Sequence, residues 1–201
     1  MLGSSDLKVS DLTNPSVSLP GKEGEVADFV RPAPGEYDPY YQTYLDQVPA
    51  DVDDILLHLK KQGLVMLTLM RSVDDERGAF RYQPEKWSIK EVVGHLIDAE
   101  RLFAFRALWF ARGEPQEQPG MDENLWGRNS NAHDRTMPEL WREQHVCRTD
   151  HVYLFWSLDQ ASIDRHGVAN GAAMTVRTIP WLIAGHEKHH LDVLKEKYGL
   201  G

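Results

Sequence analysis

Four stretches of the chain set apolar residues three and four positions apart over roughly 20 residues each, and no stretch alternates convincingly with period two. That pattern predicts an all-α fold, a four-helix bundle with no sheet. In "DVDDILLHLKKQGLVMLTLMRSV" the apolar face is Val52, Ile55, Leu56, Leu59, Met66, Leu67, Met70 and Val73. Ser88-Ile89-Lys90-Glu91 reads as a capping box, so a second helix starts near Ile89 and runs to Gly113, ahead of Pro115. Thr136-Met137-Pro138-Glu139 is a second box, with proline in the first turn, opening a third helix. Thr178 and Pro180 open the fourth, which ends before Gly199.

Residues 1–48 read differently. They are rich in Pro and Gly and show no helical or strand period, so they form an extended N-terminal arm, with the bundle domain at 49–201. Tyr37, Tyr40, Tyr41 and Tyr44 make the arm too aromatic for a solvated linker and predict that it packs on the bundle. Residues 114–135 form a long polar loop carrying Trp126. Loops of that length tend to cover a site.

The fourth helix carries "GHEKHHLDVL", in which His186-Glu187-Lys188-His189-His190 matches the H-E-x-x-H helix motif of zinc proteases. Successive residues advance by about 100°, so His190 lies only about 40° round from His186. Both fall within the stripe of Ile179, Leu182, Ile183, Val193 and Leu194 and point into the bundle. His189 sits at the stripe's edge, as a rim group. A buried imidazole needs polar partners, and two of them one turn apart suit a shared ion. On the second helix His95 flanks the buried side marked by Val92, Leu96, Ala99 and Phe103. It is the candidate third ligand, although helical spacing alone does not bring it to the other two.

The protease reading fails on the rest of the motif. Val193 stands where the motif's glycine belongs and Glu196 where its third histidine belongs. Glu196 is about 240° round from His190, and no strand is predicted to hold a peptide. Among the other polar groups, Glu187, Asp98 and Glu100 are acidic candidates around the ligands, with ion pairing as their plainer role. His58, on the shoulder of the first helix's stripe, is a cavity-lining candidate. His133 and His166 fall in polar loops, and His145 and His151 are poorly spaced to share an ion.

Net charge is −9 and the sequence pI is near 5.4, with no Lys/Arg block, which argues against a nucleic-acid or anionic-membrane partner. No apolar run approaches the roughly 20 residues of a membrane span. "MLGSSDLKVSDL" lacks the basic start and apolar core of a signal peptide, so the expected location is cytoplasmic. Cys147 is the single cysteine, which excludes an intrachain disulfide and a cysteine-based zinc site.

"WSIKEVVGHLIDAERLFAFR", "PGMDENLW" and "GAAMTVRTIPWLIAGHEKHHLDVLKEKYG", in that order and spacing, resemble the DinB-like superfamily of metal-binding four-helix bundles. "YYQTYLDQVPADVDDILLHLKKQ" resembles the entry segment of one branch, and the likeness spans roughly residues 40–199. The resemblance implies a divalent metal held by one histidine of the second helix and an H-x-x-x-H pair of the fourth, positions that match His95, His186 and His190. It also implies relatives of mixed activity, from metal-dependent hydrolases and thiol-dependent transferases or isomerases to stress-induced proteins. The first 40 residues have no counterpart in the family core.

Three neutral imidazoles leave open positions on an ion, the arrangement of a catalytic site. Zinc, nickel or ferrous iron would accept these ligands. Such an ion lowers the pKa of bound water toward about 7, or holds a low-molecular-weight thiol as thiolate. The leading expectation is therefore a metal-dependent hydrolase or thiol S-transferase acting on a small molecule. Cys147, mid-helix and without an activating cation, is not the expected thiol. The alternatives are a non-enzymatic metal-binding stress protein whose ion stabilises the fold, and an interaction module with a hydrogen-bonded histidine core and no metal. Bundles of this kind often pair as homodimers, which no feature of the sequence fixes.

Overall fold

The computed structural model describes residues 27–201. Residues 1–26 of the arm lie outside the described residues. The bundle is built from α1 (Ile55–Arg71), α2 (Ile89–Ala111), α3 (Met137–Ser157) and α4 (Thr178–Glu196). Each of the first three begins at a side-chain cap, which satisfies backbone N–H groups that a helix start leaves free. Asp54 accepts from Leu57, and the boxes at Ser88 and Thr136 are complete in both directions. α4 has no side-chain cap. Its Thr178 hydroxyl is buried against that of Thr175 at 2.8 Å.

α1 packs against α3 and α4, and so does α2. The helices consecutive in sequence, α1 and α2, therefore sit on one diagonal of the bundle and α3 and α4 on the other. This order matters for the histidines, because it makes α2 and α4 direct neighbours. Two apolar clusters fill the interior. One contains Phe110, Phe155, Leu59 and the fully buried Trp181; the other contains Met66, Val93, Leu140 and Leu194.

The described part of the arm packs on the bundle, as its tyrosines predict. Tyr37 and Tyr41 are buried and Tyr44 is half-buried, whereas Tyr40 is exposed. Phe29 meets Phe155 edge-on at 6.0 Å and accepts the Trp181 indole N–H through its carbonyl at 3.0 Å. Arg31 lies 4.4 Å above the Trp181 ring and donates to the carbonyls of Leu45 and Val48.

The expectation of no sheet is corrected. β1 (His166–Ala169) and β2 (Ala172–Thr175) form an antiparallel hairpin just ahead of α4. Its two-residue turn is Asn170-Gly171, at φ 55° and 73°, the left-handed pair that twisted hairpins favour. Four-residue strands of mostly small residues are too short to display a period, so only the Asn-Gly signal was available. The arm and the 114–135 loop cover the hairpin through bridges at Tyr37–Met174 and Gln118–Ala169, so its edges are not left open. His166 lies on β1 rather than in a loop, and is exposed as expected. The long loop also contains a short helix, Glu123–Asn129, capped by Asp122. The first helix begins at Ile55, leaving Val52 in the preceding turn. Among the described residues no helix is long and apolar enough to cross a membrane.

Candidate metal centre

His95, His186 and His190 converge at the α2–α4 interface, with one ring nitrogen of each lying within 4.8 Å of the others. His95 Nε2 is 3.1 Å from His186 Nε2. Two nitrogens at 2.0–2.1 Å from one tetrahedral ion lie about 3.3 Å apart, so the His95–His186 pair has close to the spacing a small divalent ion requires, with the third histidine within reach. A glycine precedes each of the two buried histidines. A Cβ on Gly94 would stand 2.6 Å from Ala132 Cβ, and one on Gly185 would stand 1.9 Å from the Tyr44 carbonyl oxygen. Bare backbone at these two points lets the 132 turn and the arm close directly over the histidines.

Aromatic rings enclose the imidazoles. Trp87 lies 4.8 Å from the His95 ring, and Tyr44 and Phe103 approach His186 at 5.6 and 6.1 Å. The apolar surround disfavours charge on a histidine. Burial lowers His95 to about 4. Burial first, and then the neighbouring rings, lower His186 to about 3 and His190 to about 2. The three are thus held neutral near pH 7, with lone pairs available.

Below the histidines is a buried ionic network. Arg148 of α3 donates to Glu100 of α2 at 2.7 and 2.9 Å, to Glu187 of α4 at 3.2 and 3.0 Å, and to the Leu59 carbonyl of α1 at 2.9 Å. Gln144 adds a bond to Glu187 at 2.9 Å. One side chain therefore ties all four helices together. Burial pushes the Glu187 carboxyl up while Arg148 holds Glu100 low, and Glu100 electrostatically favours positive charge at His186. His151 Nδ1 is 3.5 Å from Glu100 and 3.6 Å from Cys147 Sγ. Burial raises the Cys147 thiol to about 12, which leaves it inert as a nucleophile.

A cleft of about 120 Å³ opens above His95 and His186. The arm contributes Tyr40, Tyr41 and Tyr44, and α2 contributes Ala99, Leu102, Phe103 and Arg106. The 114–135 loop supplies Gly120, Met121 and Glu123, and the hairpin tip supplies Asn170. The loop and the arm thus cover the histidines, as their composition suggests.

Not every candidate falls here. Trp126 is exposed and does not line the cleft, because its turn of helix faces outward. His58 is half-buried near Gln62 and Arg148 and does not line the cleft either. Asp98 is half-buried in a separate polar pocket with Arg101, Arg135 and Glu143, where burial raises its carboxyl. Glu187 takes its ion-paired role in the buried network, and His189 stays exposed at the rim, 5.1 Å from the His190 ring centre. His133 is exposed, with Nδ1 3.2 Å from Ser88 Oγ.

Several residues of the site and its network were missed, Glu123 of the short loop helix among them. Gln144 and Arg148 interrupt the apolar stripe of α3 set by Leu140, Cys147, Val152 and Phe155, which was the available signal. Arg106 lies about three turns beyond His95 on the same helix face. Asn170 belongs to the hairpin turn.

No curated protein gives a significant match. The solved structure of YfiT from Bacillus subtilis, described as "a probable metal-dependent hydrolase with an unusual four-helix bundle topology", aligns over 95% of this chain and 99% of its own with a TM-score of 0.61. At 13% identity that likeness is one of fold. Residues 58–194, which contain all three histidines, match the family model of the DinB superfamily, and the chain belongs to that superfamily.

Proposed function

We propose that the protein is a metal-dependent enzyme acting on a small molecule, with His95, His186 and His190 holding one divalent ion. The observation that carries this is the convergence of three neutral imidazoles, His95 and His186 buried and His190 half-buried, with the first two lining a covered cleft. YfiT, described as "a probable metal-dependent hydrolase", supports the reading by fold. Zinc, nickel and ferrous iron all suit the ligand set. When bound, the ion supplies a Lewis acid able to activate water for hydrolysis or a small thiol for transfer.

The chain's own residues do the remaining work. Phe103, Tyr44 and Trp87 limit water around the imidazoles and fix their orientation. Tyr41 and Tyr44, whose hydroxyls burial keeps protonated, can donate hydrogen bonds to a polar substrate group. Glu123 is the carboxylate among the lining residues, and we assign it the acceptance of a proton.

The test is metal analysis of purified protein and of His186→Ala, paired with assays on an activated ester and on cysteine with a fluorogenic electrophile. One equivalent of metal in the wild type, lost in the variant together with turnover, is the expected result. Wild-type protein without stoichiometric metal overturns the reading. Metal that raises the melting temperature while neither reaction proceeds points instead to a non-enzymatic metal-binding protein.

A further inference from the structure

Arg106 is a buried cation that meets no anion among the described residues. Its side chain is 6% exposed and lines the cleft. Among the described residues its guanidinium makes one hydrogen bond, from Nη2 to the Pro119 carbonyl at 2.8 Å, and Nε is buried with no partner. A buried guanidinium is ordinarily satisfied by a carboxylate, as Arg148 is by Glu100 and Glu187. Glu123 lines the same cleft but forms no ion pair with Arg106. Tyr41 is the neighbour that most favours the arginine's charge, and it is a neutral phenol near pH 7.

Position on the helix gives this charge a direction. Ala99, Leu102, Phe103 and Arg106 follow His95 along one face of α2, so the cleft extends from the histidines toward the guanidinium. Helical side chains lean toward the N-terminus, which carries the Arg106 head back toward His95. The walls between are apolar and aromatic: Leu102, Phe103, Met121 and the arm tyrosines.

We propose that Arg106 is the specificity-determining residue of this cleft and that the substrate is a small carboxylic acid, bound with its carboxylate on Arg106 and its reacting group toward the three histidines. A single guanidinium with neutral phenols beside it matches one negative charge, and its planar fork matches a carboxylate. The inference rests on reading the cleft as the substrate site above the metal.

The test uses benzoate and its neutral isostere benzamide as probes. Binding to the full chain is measured by calorimetry with zinc and after chelation, in wild type, Arg106→Met and Arg106→Lys, with zinc content assayed in each. The expected result is benzoate binding at least about tenfold tighter than benzamide in both metal states. That preference should be lost in Arg106→Met and partly kept in Arg106→Lys, with zinc content unchanged. Benzoate that binds no better than benzamide, or whose preference survives in Arg106→Met, overturns the proposal. A preference that disappears on chelation alone also overturns it, because the ion would then be the anion reader. Arg106-dependent benzoate binding in a protein that holds no zinc would reject the metal reading while leaving this one standing.

Discussion

Glu187 Oε2 accepts a hydrogen bond from Arg148 Nη2 at 3.0 Å in the interior of the bundle, one residue along α4 from His186. Because Arg148 also bonds Glu100 and the Leu59 carbonyl, it fixes the helices that carry the three histidines. Arg148→Met removes the guanidinium and leaves Glu100 with only His151 and Glu187 with only Gln144 beside them. The expected cost is about 3–5 kcal/mol in urea unfolding, the range for breaking a buried pair by deleting one partner. A loss below about 1 kcal/mol would show that the carboxylates do not need the arginine.

Ion binding to the native state alone raises stability by mass action, by about 4 kcal/mol at a thousandfold excess over the dissociation constant. Zinc should therefore raise the melting temperature of wild type and leave His95→Ala, His186→Ala and His190→Ala unmoved. His58→Ala, His189→Ala and Asp98→Asn should respond like wild type, since none of the three belongs to the histidine cluster. A wild-type response in His190→Ala would remove that residue from the ligand set.

Gly185→Ala tests how the arm is seated. Its new Cβ would fall 1.9 Å from the Tyr44 carbonyl oxygen, which is backbone and cannot rotate away. The turn at Gln42–Leu45 would have to lift, taking Tyr44 from the His186 ring. The expected loss is about 1–3 kcal/mol, the usual cost of overpacking, with faster proteolysis in the arm. A melting temperature and cleavage rate equal to wild type would mean the arm is not held by this contact.

The sequence made the helices and the histidine pair readable for a common reason. A capping box such as Ser88–Glu91 and a stripe such as Met66, Leu67 and Met70 are local, and so is the spacing of His186 and His190. The pairing of α2 with α4 is not local, so His95 could be nominated from its helix face but not brought to its partners. Arg148 was illegible for a similar reason. A lone arginine in an apolar stripe looks like a surface residue until two carboxylates from other helices arrive around it. Trp126 shows the converse, since a large aromatic in a covering loop can still face solvent.

Acid should destabilise the metal-free protein well above the range in which ordinary carboxylates titrate. Burial lowers His95 to about 4, His186 to about 3 and His190 to about 2. An unfolded histidine titrates near 6.5. Between those values the unfolded chain binds more protons than the native one, so stability rises with pH across the window. It is fully present above about pH 6.5 and is lost as pH falls toward the native values. Each histidine adds about 1.4 kcal/mol per pH unit inside the window, and three acting together approach about 4 kcal/mol per unit. A typical domain, stable by about 5–15 kcal/mol, would be close to unfolding near pH 4. Glu36 and Glu91, held low by backbone N–H groups and then by arginines, and Glu143, held low by Arg135 and Arg101, also lose stability in acid, but only below about pH 4.5. Urea midpoints of chelated protein should therefore be flat from about pH 8 to 7 and fall steeply from about 6.5 to 5. The double variant His186→Asn, His190→Asn should retain only about a third of that slope. A midpoint that holds steady down to about pH 5 in the metal-free wild type would show that the three imidazoles are not kept neutral by the fold.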